Sequence, residues 1–97
     1  MSTYIRKATR AKKIVIPLDT ARDNELLGSD LSAVEILDKS TGSFSLKIVF
    51  PDMTELTLDQ TEVSNGKRFE WDIAELRITH TAQAGVTVKI LVEQQVP

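Results

Sequence analysis

The chain is predicted to be all-β: a single antiparallel β-sandwich or jelly-roll-like domain of about seven strands with an extended basic N-terminal arm. Three observations lead there. Apolar residues recur at every second position along most of the sequence. Turn residues interrupt these runs at short intervals. No βαβ pattern, internal repeat or heptad run is visible. At 97 residues there is room for one core, which such a sandwich can enclose. The hydrophobic fraction of 41% and charged fraction of 27% are those of a globular chain.

The elements follow in order. Ile14, Ile16 and Leu18 form the first alternating set, and side chains two apart on a strand share a face. Asp19 to Asp30 resists this reading: Thr20 to Leu27 suits one or two helical turns ended by Gly28, or else a long loop. Val34 and Ile36 mark a short strand, closed by Ser40-Thr41-Gly42. Phe44, Leu46, Ile48 and Phe50 alternate with Ser43, Ser45 and Lys47, with Val49 the exception, and Pro51-Asp52 ends the run. Leu56 and Leu58 alternate with Glu55, Thr57 and Asp59. Ser64-Asn65-Gly66-Lys67 carries the strongest hairpin signal, because a type I′ turn needs positive φ at both central residues. Phe69, Trp71 and Ile73 come next, in a phase that assigns Trp71 to the core. Leu76 and Ile78 then lead through Ala82-Gln83-Ala84-Gly85 to Val86, Val88, Ile90 and Val92, a pair of strands expected to form the last hairpin. Leu91 interrupts the polar face of that final strand.

Composition excludes several chemistries. There is no Cys, so disulfides, thiolate metal sites and Cys nucleophiles are ruled out. Their absence in so small a chain favours a reducing cytoplasm over secretion. No run approaches the roughly 20 apolar residues of a membrane-spanning helix, and no signal peptide is indicated. His80 is the sole histidine, in phase with Leu76 and Ile78, and reads as a strand-end residue bonded to a neighbouring backbone or hydroxyl group. The carboxylate pairs Glu70/Asp72 and Glu55/Asp59 fall on faces assigned to water rather than across a cleft. Asp19, Asp23, Glu25 and Asp30 miss the spacing of a calcium loop. The four glycines are scattered singly, unlike a phosphate-binding loop. No catalytic, cofactor or metal residues are expected.

Charge is distributed unevenly. Residues 1–13 hold Arg6, Lys7, Arg10, Lys12 and Lys13 and no acid, a net of +5. The remainder holds seven bases against fourteen acids, a net of −7. Residues 1–13 are therefore read as a basic arm or first strand, and residues 14–97 as the sandwich. Tyr4, Ile5, Arg6, Lys7, Arg10, Lys12 and Lys13 are the candidate partner-binding residues: the charges steer and set register, and Ile5 adds apolar contact. A solvated positive strand face is the simpler alternative. Nucleic acid is disfavoured by the acidic body and the few basic residues. Deleting residues 1–13 is expected to leave the fold intact and abolish assembly.

The segment from Glu75 to Val92, read as Glu-Leu-Arg-Ile-Thr-His-Thr-Ala-Gln-Ala-Gly-Val-Thr-Val-Lys-Ile-Leu-Val, resembles one found in small structural proteins of tailed bacteriophages. In those proteins a strand ending in a Thr-Ala-Gln-Ala-Gly-like turn is followed by a strand of alternating apolar residues. The resemblance implies a non-catalytic component of head decoration, neck, tail or fibre, built into the virion in the host cytoplasm. Its partners would be other virion proteins and further copies of itself. The alternative is a carbohydrate- or ligand-binding sandwich module, which requires an exposed aromatic or a calcium-dependent pocket.

Overall fold

The structure, a computed structural model, describes residues 8–96. It contains eight strands: β1 (Ala8–Pro17), β2 (Arg22–Leu31), β3 (Ala33–Asp38), β4 (Ser45–Val49), β5 (Glu55–Asp59), β6 (Arg68–Phe69), β7 (Ile73–His80) and β8 (Thr87–Val96). They form two four-stranded sheets, ordered β1-β8-β3-β6 and β2-β7-β4-β5. Every pairing is antiparallel. First pairs with last, second with seventh, third with sixth and fourth with fifth. A long antiparallel ribbon wrapped around a core has this order, so the sandwich is a jelly roll.

The alternation read from the sequence builds the core. Val34 and Ile36 of β3 and Val88, Ile90 and Val92 of β8 are buried from one sheet. Leu46 and Ile48 of β4 and Leu76 and Ile78 of β7 are buried from the other. The two inner faces pack as one cluster that also takes in Leu18 and Val63, both from connections between strands. Gly42 lies against this cluster where a Cβ would sit 3.0 Å from Leu18 Cδ1 and 3.1 Å from Val88 Cγ2, so any larger residue requires those side chains to give way.

Several expectations change. Neither predicted hairpin forms. Lys67 N donates to Ser64 O (3.0 Å) and Gly66 has φ 85°, so Ser64–Lys67 is a tight turn. Asn65 keeps a negative φ, which excludes type I′. The flanking strands β5 and β6 lie in different sheets. The turn docks on β3 instead, through Gly66 N to Ile36 O (2.6 Å) and Ile36 N to Lys67 O (2.8 Å). Likewise β7 and β8 leave the Ala82–Gly85 turn for opposite sheets. The one hairpin between consecutive strands is β4–β5, through the turn containing Pro51 and Asp52. There Asp52 Oδ1 accepts from the Thr54 amide (3.1 Å) and hydroxyl (2.6 Å). Turn chemistry sets a local reversal, but which sheet receives the next strand depends on the whole ribbon.

The Asp19–Asp30 segment is neither helix nor loop, because Arg22–Leu31 is strand β2. Its pairing with β7 shifts register between Arg22 and Glu25 and again between Leu26 and Gly28. Asn24 and Asp30 both have φ 54°, a left-handed conformation that these residue types tolerate. Leu26 is in register with Arg77 and exposed, whereas Leu31 is in register with Ile73 and buried. Trp71 is the other correction. It is 39% exposed rather than in the core. β6 ends at Phe69, and the chain bends out of that sheet before β7 begins at Ile73, so the alternation does not carry across Trp71.

Candidate assembly interface

Among the described residues, the polar groups that invite a catalytic reading have structural partners. His80 is 6% exposed. Its Nδ1 donates to Thr81 O (2.7 Å), and its Nε2 accepts from Arg22 Nη1 (3.0 Å). Both ring nitrogens are therefore engaged within the fold. Arg22 also donates to Pro17 O and pairs with Glu25 at 2.7 Å, tying the β1–β2 connection to the end of β7. Gln83 makes a comparable tie. Its side chain accepts from Ser43 N (2.9 Å) and donates to Ser43 O (2.7 Å), holding the β7–β8 turn against the chain before β4. No group of three or more His, Asp or Glu side chains among the described residues could hold a metal ion. No described helix is long and apolar enough to cross a membrane.

The candidate basic residues divide. Tyr4, Ile5, Arg6 and Lys7 lie outside the described residues. Arg10, Lys12 and Lys13 belong to β1, which pairs with β8 without interruption from Ala8↔Val96 to Pro17↔Thr87. Residues 8–13 are thus part of the sheet rather than an arm. Arg10 and Lys12 share the face of Ile14 and Ile16 and line the mouth of a groove of about 250 Å³ between the sheets, opposite Leu27 and Leu31 of β2. Lys13 lies on the other face, in register with Leu91. All three are exposed, and none forms an ion pair among the described residues.

Four strands form the sheet edges: β1 and β6 in one sheet, β2 and β5 in the other. An unpaired edge offers free N–H and C=O groups to another chain, and proteins block it with bulges, short strands or charge. β2 is bulged twice and β6 has two residues. β1 and β5 are different: both are straight, without a register shift. β1 carries Arg10, Lys12 and Lys13. β5 carries Glu55 and Asp59, exposed on one face with Thr57 between them, and is flanked by Asp52 and Glu62. Asp59 and Asp52 are held below the ordinary carboxylate range by hydrogen bonds from Thr61 and Thr54 respectively, hydroxyl first and backbone amide second.

A second feature is the surround of Trp71. The indole packs on Phe69 (centroids 4.9 Å apart) and Phe50 (5.6 Å) and separates two clefts. One, of about 390 Å³, is lined by Ser32, Arg68, Glu70, Asp72, Glu93 and Gln95. The other, of about 540 Å³, is shallow and lies beside Phe50, Asp52 and Thr54. Arg68 organises the first: it donates to Glu70 (2.9 Å) and to Glu93, and approaches Glu35 at 3.5 Å. The exposed tryptophan and the acidic edge were not legible as functional features in the sequence. Only the bend after Phe69 exposes the first, and only the sheet order makes an edge of the second. Comparison with protein-family models found no matching family, and neither a search of curated proteins nor one of solved structures found a match.

Proposed function

We propose that the protein is a non-catalytic assembly component of a tailed-phage virion, a part of head decoration, neck, tail or fibre, that works through contacts between proteins. The observation that carries this reading is the pair of sheet edges, β1 and β5, that have no register shift and carry charges of opposite sign, which guard against a like edge and leave an unlike one able to pair. Pairing a strand onto such an edge satisfies backbone groups along its length and confers affinity without a specialised pocket. The likeness of residues 75–92 to phage structural proteins supports the placement on a virion. The same architecture recurs in viral capsid domains. Light scattering on the purified protein across salt concentrations tests the reading. A discrete oligomer that loosens as salt screens its charged edges is expected. A monomer at every concentration and salt overturns self-assembly.

A second reading rests on Trp71. An exposed indole between a polar cleft and a shallow, more apolar one is a platform of the kind a saccharide-binding module requires, and jelly rolls also build lectins. Trp71 is the only tryptophan, so its fluorescence reports on this site alone. A saturable shift on adding a saccharide panel supports the module. An unchanged spectrum throughout removes it.

A further inference from the structure

The two straight edges carry charges of opposite sign and lie on opposite sides of the sandwich. β1 and β2 are joined by the short Leu18–Ala21 connection and end their sheets on one side, while β5 and β6 end them on the other. Two β1 edges brought together place Arg10, Lys12 and Lys13 against themselves. Two β5 edges do the same with Glu55 and Asp59. Both like pairings are repulsive, and only the unlike one is attractive. Lys47 pairs with Glu55 at 3.5 Å and Lys39 acts on Asp59, so local cations offset part of the β5 charge, while Asp52 and Glu62 beside the strand keep that edge acidic. Arg10 and Lys12 share one face of β1, as Glu55 and Asp59 share one face of β5. Beside them, Val15 on β1 is 53% exposed, and Leu56 and Leu58 on β5 are half-buried, so an added strand also covers apolar surface.

We propose that the β1 edge of one copy pairs with the β5 edge of the next, a head-to-tail contact that specifies the self-assembly proposed above and rests on that reading. Each copy offers one edge of each sign. Copies joined this way therefore close into a ring if the rotation permits and otherwise extend as a filament, and a two-fold dimer through either edge is excluded. The β2 and β6 edges take no part, blocked by bulges and by length.

Charge exchange tests the contact. One variant carries R10E, K12E and K13E; a second carries E55K and D59K; a third carries all five changes. Sedimentation velocity and light scattering read assembly, and thermal melts confirm folding. Each partial variant is expected to assemble about tenfold or more weakly than the wild type, a loss of about 1.4 kcal/mol per factor of ten. The five-fold variant, and an equimolar mixture of the first two, regain assembly because unlike edges again face each other. If a reversed variant melts early, the neutral sets R10Q/K12Q/K13Q and E55Q/D59N replace it, with weaker assembly expected from each. Unchanged assembly in folded partial variants, or no recovery on combining them, overturns the head-to-tail contact while leaving self-assembly standing. A wild-type monomer under all conditions overturns both.

Discussion

Replacing Leu76 with alanine is expected to destabilise the fold by about 2–5 kcal/mol, a large share of the roughly 5–15 kcal/mol that holds a small domain together. Leu76 has no exposed surface and sits on β7, between β2 and β4 in the interior of its sheet. Its partners in register are Gly28 on one side and Ile48 on the other. Gly28 has no side chain to move into the space. Leu76 is hydrogen-bonded into the sheet through neighbours on both sides, so closing the gap would require a paired strand to move. The cavity therefore stays open, and its cost adds to the lost transfer energy. Urea unfolding measures this: the midpoint should fall while the slope stays constant, because the surface exposed on unfolding is nearly unchanged. A loss below about 1 kcal/mol would mean that the site collapses, contrary to the packing described.

Deleting residues 1–13 should destabilise the protein by at least as much, against the expectation from charge pattern alone that the fold survives. Six of the ten register positions that join β1 to β8, Ala8 to Lys13, disappear with the segment. At about one ladder bond per residue and a net of roughly 0.5–1 kcal/mol each, the loss is on the order of 3–6 kcal/mol. It also turns the end of β8 into an exposed edge bearing Val92, now 5% exposed, which invites aggregation. Thermal unfolding of the truncated and full chains decides the matter. A strongly lowered, concentration-dependent transition is expected. Equal melting temperatures would show that residues 8–13 act as an arm after all.

Much of the sandwich was readable because its strands are regular. Wherever a strand keeps the period of two, as Leu46–Ile48 and Val88–Ile90–Val92 do, the alternation named the buried residues correctly. His80 followed from the same phase, and its bond to the Thr81 carbonyl fits a strand-end histidine. The reading failed where the chain departs from regular geometry. In β2 the polar run from Arg22 to Glu25 leaves no clean alternation before the leucines, and Thr20 to Leu27 reads as a short helix or loop. The bend after β6 reverses the exposure of Trp71. Val63 is 1% exposed although it belongs to no strand, so no periodicity could mark it. For β1 the sequence left two readings open, arm or first strand, because three cations on one strand give the same signal as a free basic arm, and residues 8–13 form strand.

By itself the sequence determined that the chain is all-β, that it encloses one core, and which alternating residues fill it. These properties are local: side chains two apart share a face, and burying that face excludes water whatever the neighbouring strand. It also determined the charge imbalance between its first thirteen residues and the rest. Only the tertiary structure decided which strands pair. Backbone hydrogen bonds are the same for every partner, so the choice between a β7–β8 hairpin and the wrapped order observed rests on how both sheets close over a shared core. That choice determines the edges. It leaves β1 and β5 straight, unpaired and opposite in charge, and from that arrangement the proposed head-to-tail contact follows.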